Sequence, residues 1–285
     1  MTHPLRLTRL TQLPLRQEFR EQLAELVRPQ VEQLWQHPPI VAMFVTLSAV
    51  LPKQEQTAKL FADAWMLMYA TIGRLDSLQD GDSILVLPRV ATVGEHYNLV
   101  FASYVFADSL LDDLAMHVPE GCLYSLQRLW NNCLLRMADG QQQDLASGAA
   151  PRSFDTLAVY QQIAQAKTGA TYALAFGGMA MLLSDDRELA DAFTQVGEIY
   201  GTLIQYADDL RDAATQPNAA LTLPALLPFI PHASALTPPQ IASAFWSYVY
   251  GSYHNAALDL LAPYPNERDA VAALFTAAFA PGTPQ

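Results

Sequence analysis

An all-α fold is what this 285-residue sequence predicts, and three observations predict it. Apolar residues recur three and four apart almost throughout, the helical period, and the one alternation-like run, SILVL at 83–87, is short. A composition of 51% hydrophobic and 15% charged residues supplies a packed core and excludes a disordered chain. No repeat, low-complexity tract or linker composition divides the chain, so 1–285 reads as a single helical domain near the upper size for one core.

Each element follows from its punctuation. The periodicity predicts helices over 14–36, bent or broken near Pro29, and over 39–51, which is bounded by prolines. The second is too short for the roughly 20 apolar residues of a membrane span and reads as a buried core helix. Further helices are expected over 54–78, 92–117, 121–147, 154–183, 186–213, 238–262 and 266–280, separated by Gly- and Pro-containing breaks. The stretch 213–239 carries six prolines and reads as a lid or a set of short helical turns.

Charge and cysteine content narrow the function. A net charge of -12, from 16 basic and 28 acidic residues, excludes a phosphate-tracking surface and with it nucleic-acid binding as the main role. An anionic ligand stays accessible to such a chain if divalent cations invert the local sign. The two cysteines, Cys122 and Cys133, form neither a disulfide framework nor a zinc spacing. With no spanning helix and no signal-like N-terminus, a cytoplasmic location without a transmembrane anchor is expected.

The polar residues that interrupt the apolar pattern are the candidate site. In GTLIQYADDLRD, 201–212, Asp208 and Asp212 are four apart and share a helix face that continues apolar turns. Such oxygen-rich groups suit Mg²⁺, which takes one or two carboxylates plus substrate phosphates; a solvated helix end paired to Arg211 is the bland alternative. Asp76 and Asp80 repeat the spacing in DSLQD, and a competing trio, Asp108, Asp112 and Asp113, reads equally well as a polar stripe. Lys167, one of three lysines, opens Lys167-Thr168-Gly169 inside an Ala- and Gln-rich helix, where a compact ammonium suits a phosphate and a snorkelling surface lysine is the alternative. GQQQDL, 140–145, places Gln141 and Asp144 near the end of a long helix.

Taken in order, DSLQD (76–80), GQQQDL (140–145), KTG (167–169), GTLIQYADDLRD (201–212) and TLP (222–224) resemble the motifs of the trans-isoprenyl diphosphate synthases, the polyprenyl synthetase family. The resemblance spans roughly 55–230. It implies an all-α bundle of the isoprenoid synthase type with a central prenyl-binding cavity, acting as a Mg²⁺-dependent prenyltransferase on an allylic prenyl diphosphate, normally as a cytoplasmic homodimer. It implies Asp76, Asp80 and Asp208, with Asp212, as Mg²⁺ ligands, and Lys167 and Gln205 as groups steadying the diphosphate. Gln141 and Asp144 support the same face, and Thr168 helps through its hydroxyl. Thr71 and Ile72, five and four residues before Asp76, stand where the family sets pocket depth. They leave room for a prenyl chain longer than C10 unless Tyr69 or Met68 closes the pocket a turn away.

The departures are as specific as the matches. Ser77 replaces the second Asp of the family's first motif, the GGKRxRP segment is replaced by Gln36-His37-Pro38-Pro39-Ile40, and one arginine, Arg89, stands where two are usual. The basic groups implied for a second diphosphate are thus mostly missing, while the set implied for the allylic diphosphate is present. The acceptor is accordingly either isopentenyl diphosphate or something else; relatives that prenylate a tryptophan of a pheromone peptide, and terpene cyclases, depart similarly. The other readings are a catalytically idle partner subunit of an active synthase and a helical binding module for apolar ligands.

Overall fold

In the computed structural model the chain is described over residues 8–51, 55–80, 90, 92–148, 157–213 and 236–279, and these residues fall into two compact units, Met1–Gln127 and Arg128–Gln285. The boundary lies inside a helix and not in a linker. No strand occurs among the described residues.

The first unit is built around α4, Glu55–Asp80, which packs against α2 (Gln17–Leu34), α3 (Pro38–Val50) and α5 (Val93–Ser109). From Phe61 to Met68 every α4 residue is buried, as expected of a helix apolar on all sides for two turns. Trp65 anchors this stretch, stacked on Tyr69 at 4.9 Å between ring centroids and edge-on to Phe44 of α3 at 5.4 Å. In α3 the prolines occupy the first turn, where a missing N–H costs nothing. Pro29 lies inside α2, which nevertheless runs on to Leu34. Thr92 and Glu95 form a capping box at the start of α5, with the Glu95 amide donating to Thr92 Oγ1 at 3.2 Å. The helix expected over 92–117 tightens to a 3₁₀ segment at Leu110–Met116. There Asp112 and Asp113 are engaged by Arg9 of the short α1, Thr8–Gln12, with Asp112 at 3.3 Å.

The second unit takes the end of α6, Glu120–Gly148, and then α7 (Leu157–Ala164), a π-helical turn (Gln165–Gly169), α8 (Ala170–Leu183), α9 (Arg187–Ala213), α10 (Pro238–Leu260) and α11 (Pro265–Phe279). Thirteen of the fourteen α8 residues are buried, so this helix is the unit's axis. The short connection 184–186 folds α9 back along α8. Glycines allow a very close approach: a Cβ at Gly197 would lie 2.3 Å from the Tyr172 carbonyl oxygen, and one at Gly201 2.5 Å from that of Thr168. Tyr200 of α9 packs against Tyr172 and Phe176 of α8 and Phe275 and Phe279 of α11, closing the core on its other side.

The sequence expectation of an unbroken helix over 154–183 is met from residue 157 onward by three consecutive helical pieces, with the KTG residues in the π turn. The expected lid within 213–239, the 83–87 run and TLP at 222–224 lie outside the described residues, apart from the ends of the first.

Candidate active site

The π turn is where the second unit's polar residues converge. A π turn inside an α-helix is rare and is frequently found at functional sites; here it carries Lys167 and Thr168. Two neighbours press on it through glycine. From α9, Gly201 abuts the Thr168 carbonyl, and from α6, a Cβ at Gly140 would lie 2.8 Å from the Lys167 amide nitrogen. Residues four apart share a helix face. Gly140 therefore brings Asp144 to the turn, and Gly197 and Gly201 bring Gln205 and Asp209.

The resulting contacts form two connected sets. Lys167 Nζ pairs with Asp144 Oδ2 at 2.9 Å, both side chains about four-fifths shielded from solvent. The Thr168 hydroxyl donates to Gln205 Oε1, Gln205 Nε2 donates to Asp209 Oδ2 at 3.1 Å, and the Tyr160 hydroxyl of α7 donates to the same Asp209 oxygen. Tyr160 is held in turn by an edge-on contact with Tyr206, 5.1 Å between centroids. Burial pushes the Asp209 carboxyl up to about 6; the donated hydrogen bonds from Tyr160 and Gln205 oppose that, and the charges of Asp144 and Asp208 add to it. Burial, followed by the Asp209 charge, raises the Tyr160 phenol well above its ordinary value.

Asp208 faces the other way. Its side chain is 54% exposed, and Oδ1 meets Arg211 at 3.2 Å, so the local pairing foreseen as the bland alternative is present. Asp212 closes the same face at the end of α9, its side chain outside the described residues. Gln141 is half-buried on α6.

The remaining candidates sit on α4 in the first unit. Asp76 is half-buried, and Asp80 ends the helix with its side chain outside the described residues. Thr71 is buried with its hydroxyl donating to the Leu67 carbonyl at 2.7 Å, while Ile72 is half-buried. Ile72, Asp76 and Asp80 are successive members of one i,i+4 row. Within the second unit the structure thus brings Asp144, Lys167, Thr168 and Gln205 together and adds Tyr160 and Asp209, which sequence reasoning missed. The signal for Asp209 was present as the period-four row Gly197, Gly201, Gln205, Asp209; pairing Asp208 with Asp212 obscured it.

Among the described residues no three His, Cys, Asp or Glu side chains are grouped as metal ligands. The candidate donors are nonetheless all carboxylate oxygens, half-buried at Asp76 and exposed at Asp208. Hard, solvent-reachable oxygen donors of this kind fit Mg²⁺, which keeps several waters and shares its shell with substrate phosphates.

Residues 91–221 match the model of the polyprenyl synthetase family, a segment that includes KTG and QYADDLRD and begins after DSLQD. Solved structures extend the likeness over the chain at the level of fold. An FPP/GFPP synthase from Zymomonas mobilis superimposes with a TM-score of 0.69 at 20% identity, covering 94% of this chain and 92% of that one. A polyprenyl synthase from Caulobacter crescentus CB15, complexed with calcium and isoprenyl diphosphate, gives 0.69 at 18% identity, with coverages of 96% and 93%. A geranyltransferase from Helicobacter pylori, complexed with magnesium and isoprenyl diphosphate, gives 0.69 at 15%, again covering 96% and 93%. No curated protein matches the chain. The fold is that of the all-α isoprenyl synthases, and fold and family segment together define a prenyltransferase. The likeness to the polyprenyl synthetase family lies in the segment 91–221, a little under half of the chain, which includes QYADDLRD.

Proposed function

We propose that this chain binds an allylic prenyl diphosphate and ionises it with diphosphate as the leaving group, transferring the prenyl cation either to isopentenyl diphosphate or to another acceptor. The observation that carries the reading is the polar cluster on the π turn, where Lys167 and Gln205 stand together in a matrix of buried apolar helices. Lys167 neutralises charge as it grows on the departing diphosphate, and Asp144 holds its ammonium in place. Gln205 offers an amide donor to a diphosphate oxygen. Asp76, Asp80, Asp208 and Asp212 are the groups proposed to hold Mg²⁺, which when bound supplies Lewis-acid stabilisation of the leaving group. Thr168 acts through Gln205 rather than directly, since its hydroxyl is already committed there. Gln141 supports the α6 side of the cluster.

The reading treats 1–285 as one functional domain in which prenyl chains are shielded from water by apolar side chains, with Thr71 and Ile72 setting depth. Magnesium and calcium accompany isoprenyl diphosphate in two of the similar structures, which supports the choice of metal and substrate class. Homodimerisation is proposed on the exposed face of α5, where Val93, Tyr97, Phe101 and Val105 stand at four-residue intervals and Phe101 is 66% exposed. A cytoplasmic setting is proposed from the two free cysteines; no described helix is long and apolar enough to cross a membrane.

A second reading rests on a specific observation: Ser77 stands in the first motif, the family segment starts only at 91, and the usual basic residues are mostly missing. On that reading the chain is an idle partner subunit of an active synthase. The experiment that separates the two is diphosphate release and product analysis with C10, C15 and C20 allylic diphosphates, with and without Mg²⁺ and isopentenyl diphosphate. Release requiring both identifies chain elongation. Release with Mg²⁺ alone identifies a cyclase or a different acceptor. Absence of release with every substrate overturns the enzymatic reading in favour of the subunit.

A further inference from the structure

Asp208 and Asp209 are adjacent carboxylates in one motif, yet they lie about 100° apart around α9 and meet different surroundings. Asp208 is exposed and paired to Arg211. Asp209 is turned onto the glycine face, where a single oxygen, Oδ2, accepts from both Tyr160 and Gln205. Tyr160 is 3% exposed and has no evident packing need for a hydroxyl: its ring is held by Tyr206, and its oxygen reaches across from α7 to α9.

The orientation of Gln205 follows from this arrangement. A carboxylate accepts hydrogen bonds and donates none, so the amide must turn Nε2 toward Asp209. Oε1 then faces Thr168, whose hydroxyl donates to it. Among the described residues, the second Nε2 hydrogen is left as the donor that Gln205 can offer an anion. Were the amide reversed, its carbonyl oxygen would face both Asp209 and the incoming diphosphate side, and the site would present an acceptor where a donor is required.

We propose that Tyr160 and Asp209 are a positioning pair: Tyr160 fixes the Asp209 carboxylate, Asp209 fixes the Gln205 amide, and Thr168 closes the chain, so that Gln205 presents N–H to the diphosphate. Neither residue touches substrate. The inference rests on the proposed function and deepens it, by assigning to Asp209 a role apart from the carboxylates proposed for Mg²⁺ and by adding a residue, Tyr160, that no part of that reading uses.

The test compares wild type with Tyr160→Phe, Asp209→Asn and the double variant by two readouts: steady-state diphosphate release from an allylic diphosphate, and calorimetric binding of inorganic diphosphate in the presence of Mg²⁺. Thermal unfolding of each variant controls for folding. Removing a hydrogen bond to a charged group corresponds to roughly tenfold. Tyr160→Phe is therefore expected to raise KM and weaken diphosphate binding by about that factor, with a smaller change in kcat. Because the residues form one chain, the double variant should be no worse than the poorer single one. A Tyr160→Phe protein with a lowered Tm but unchanged KM and diphosphate affinity would overturn the inference, because its hydroxyl would then be structural. Strictly additive losses would overturn it as well. Wild-type protein that releases no diphosphate but binds it, with Tyr160→Phe binding more weakly, would sink the enzymatic reading while sustaining the positioning pair. Wild-type protein that neither releases nor binds diphosphate would overturn both.

Discussion

The carboxylate-bearing ends of α9 and α4 are built differently. On α9 the acidic residues follow Gly197 and Gly201, whose missing side chains let neighbouring backbone approach to where a Cβ would sit 2.3 and 2.5 Å away. The consequence is a scaffold in which Thr168, Gln205, Asp209 and Tyr160 are mutually fixed. On α4 the glycine before Asp76 is Gly73, and a Cβ there would meet nothing within 4 Å. Asp76 and Asp80 therefore share a helix face without a comparable close-packed glycine at their base. The difference parallels the family match, which takes in the α9 end and starts after the α4 end. It teaches that glycines pack neighbouring backbone tightly against α9 below its acidic residues, whereas Gly73 of α4 stands open.

The largest effect expected is at the scaffolded end. Lys167→Ala removes the one ammonium from the cluster and leaves Asp144 without that partner. Loss of a preorganised donor of this kind lowers turnover by about 10²–10³-fold. Steady-state diphosphate release is the measurement, and a variant within a few-fold of wild type would remove Lys167 from the mechanism.

Glycine substitutions sharpen the contrast through stability. At Gly201 an added methyl must displace the Thr168 carbonyl, which is backbone and cannot swing aside, so Gly201→Ala should lose about 1–3 kcal/mol in denaturant unfolding. The same change at Gly73, exposed within α4 and open, should leave stability unchanged or raise it by about 1 kcal/mol through helix propensity. Equal effects at the two positions would erase the distinction between the helix ends.

Much of this was legible before any coordinates. The helical period gave the elements because nearly every helix buries a face, and Gly and Pro marked the breaks. The KTG and QYADDLRD residues could be singled out as candidates because polar groups in a largely apolar helical pattern stand out against their surroundings. What escaped was geometric. The π turn at 165–169 changes the register by a fraction of a turn and leaves no trace in hydrophobic spacing. Tyr160 reads as an ordinary core aromatic until its hydroxyl is seen to reach Asp209. Asp209 itself was hidden by reading the motif as Asp208 with Asp212, when the governing row was the one that begins at Gly197. The acidic trio on 108–113 could be weighed only on spacing until Arg9 was found on Asp112 and Asp113.

The central claim is that the α4 carboxylates Asp76 and Asp80 are proposed to take part in the same chemistry as the α9 set. The most direct test is the Mg²⁺ dependence of diphosphate release by wild type and by Asp76→Ala, at matched folding stability. The account predicts release that rises with Mg²⁺ in wild type and falls by about tenfold or more in Asp76→Ala, with recovery only at higher Mg²⁺. Release by Asp76→Ala with the wild-type rate and the same Mg²⁺ requirement would contradict it and confine the chemistry to the second unit.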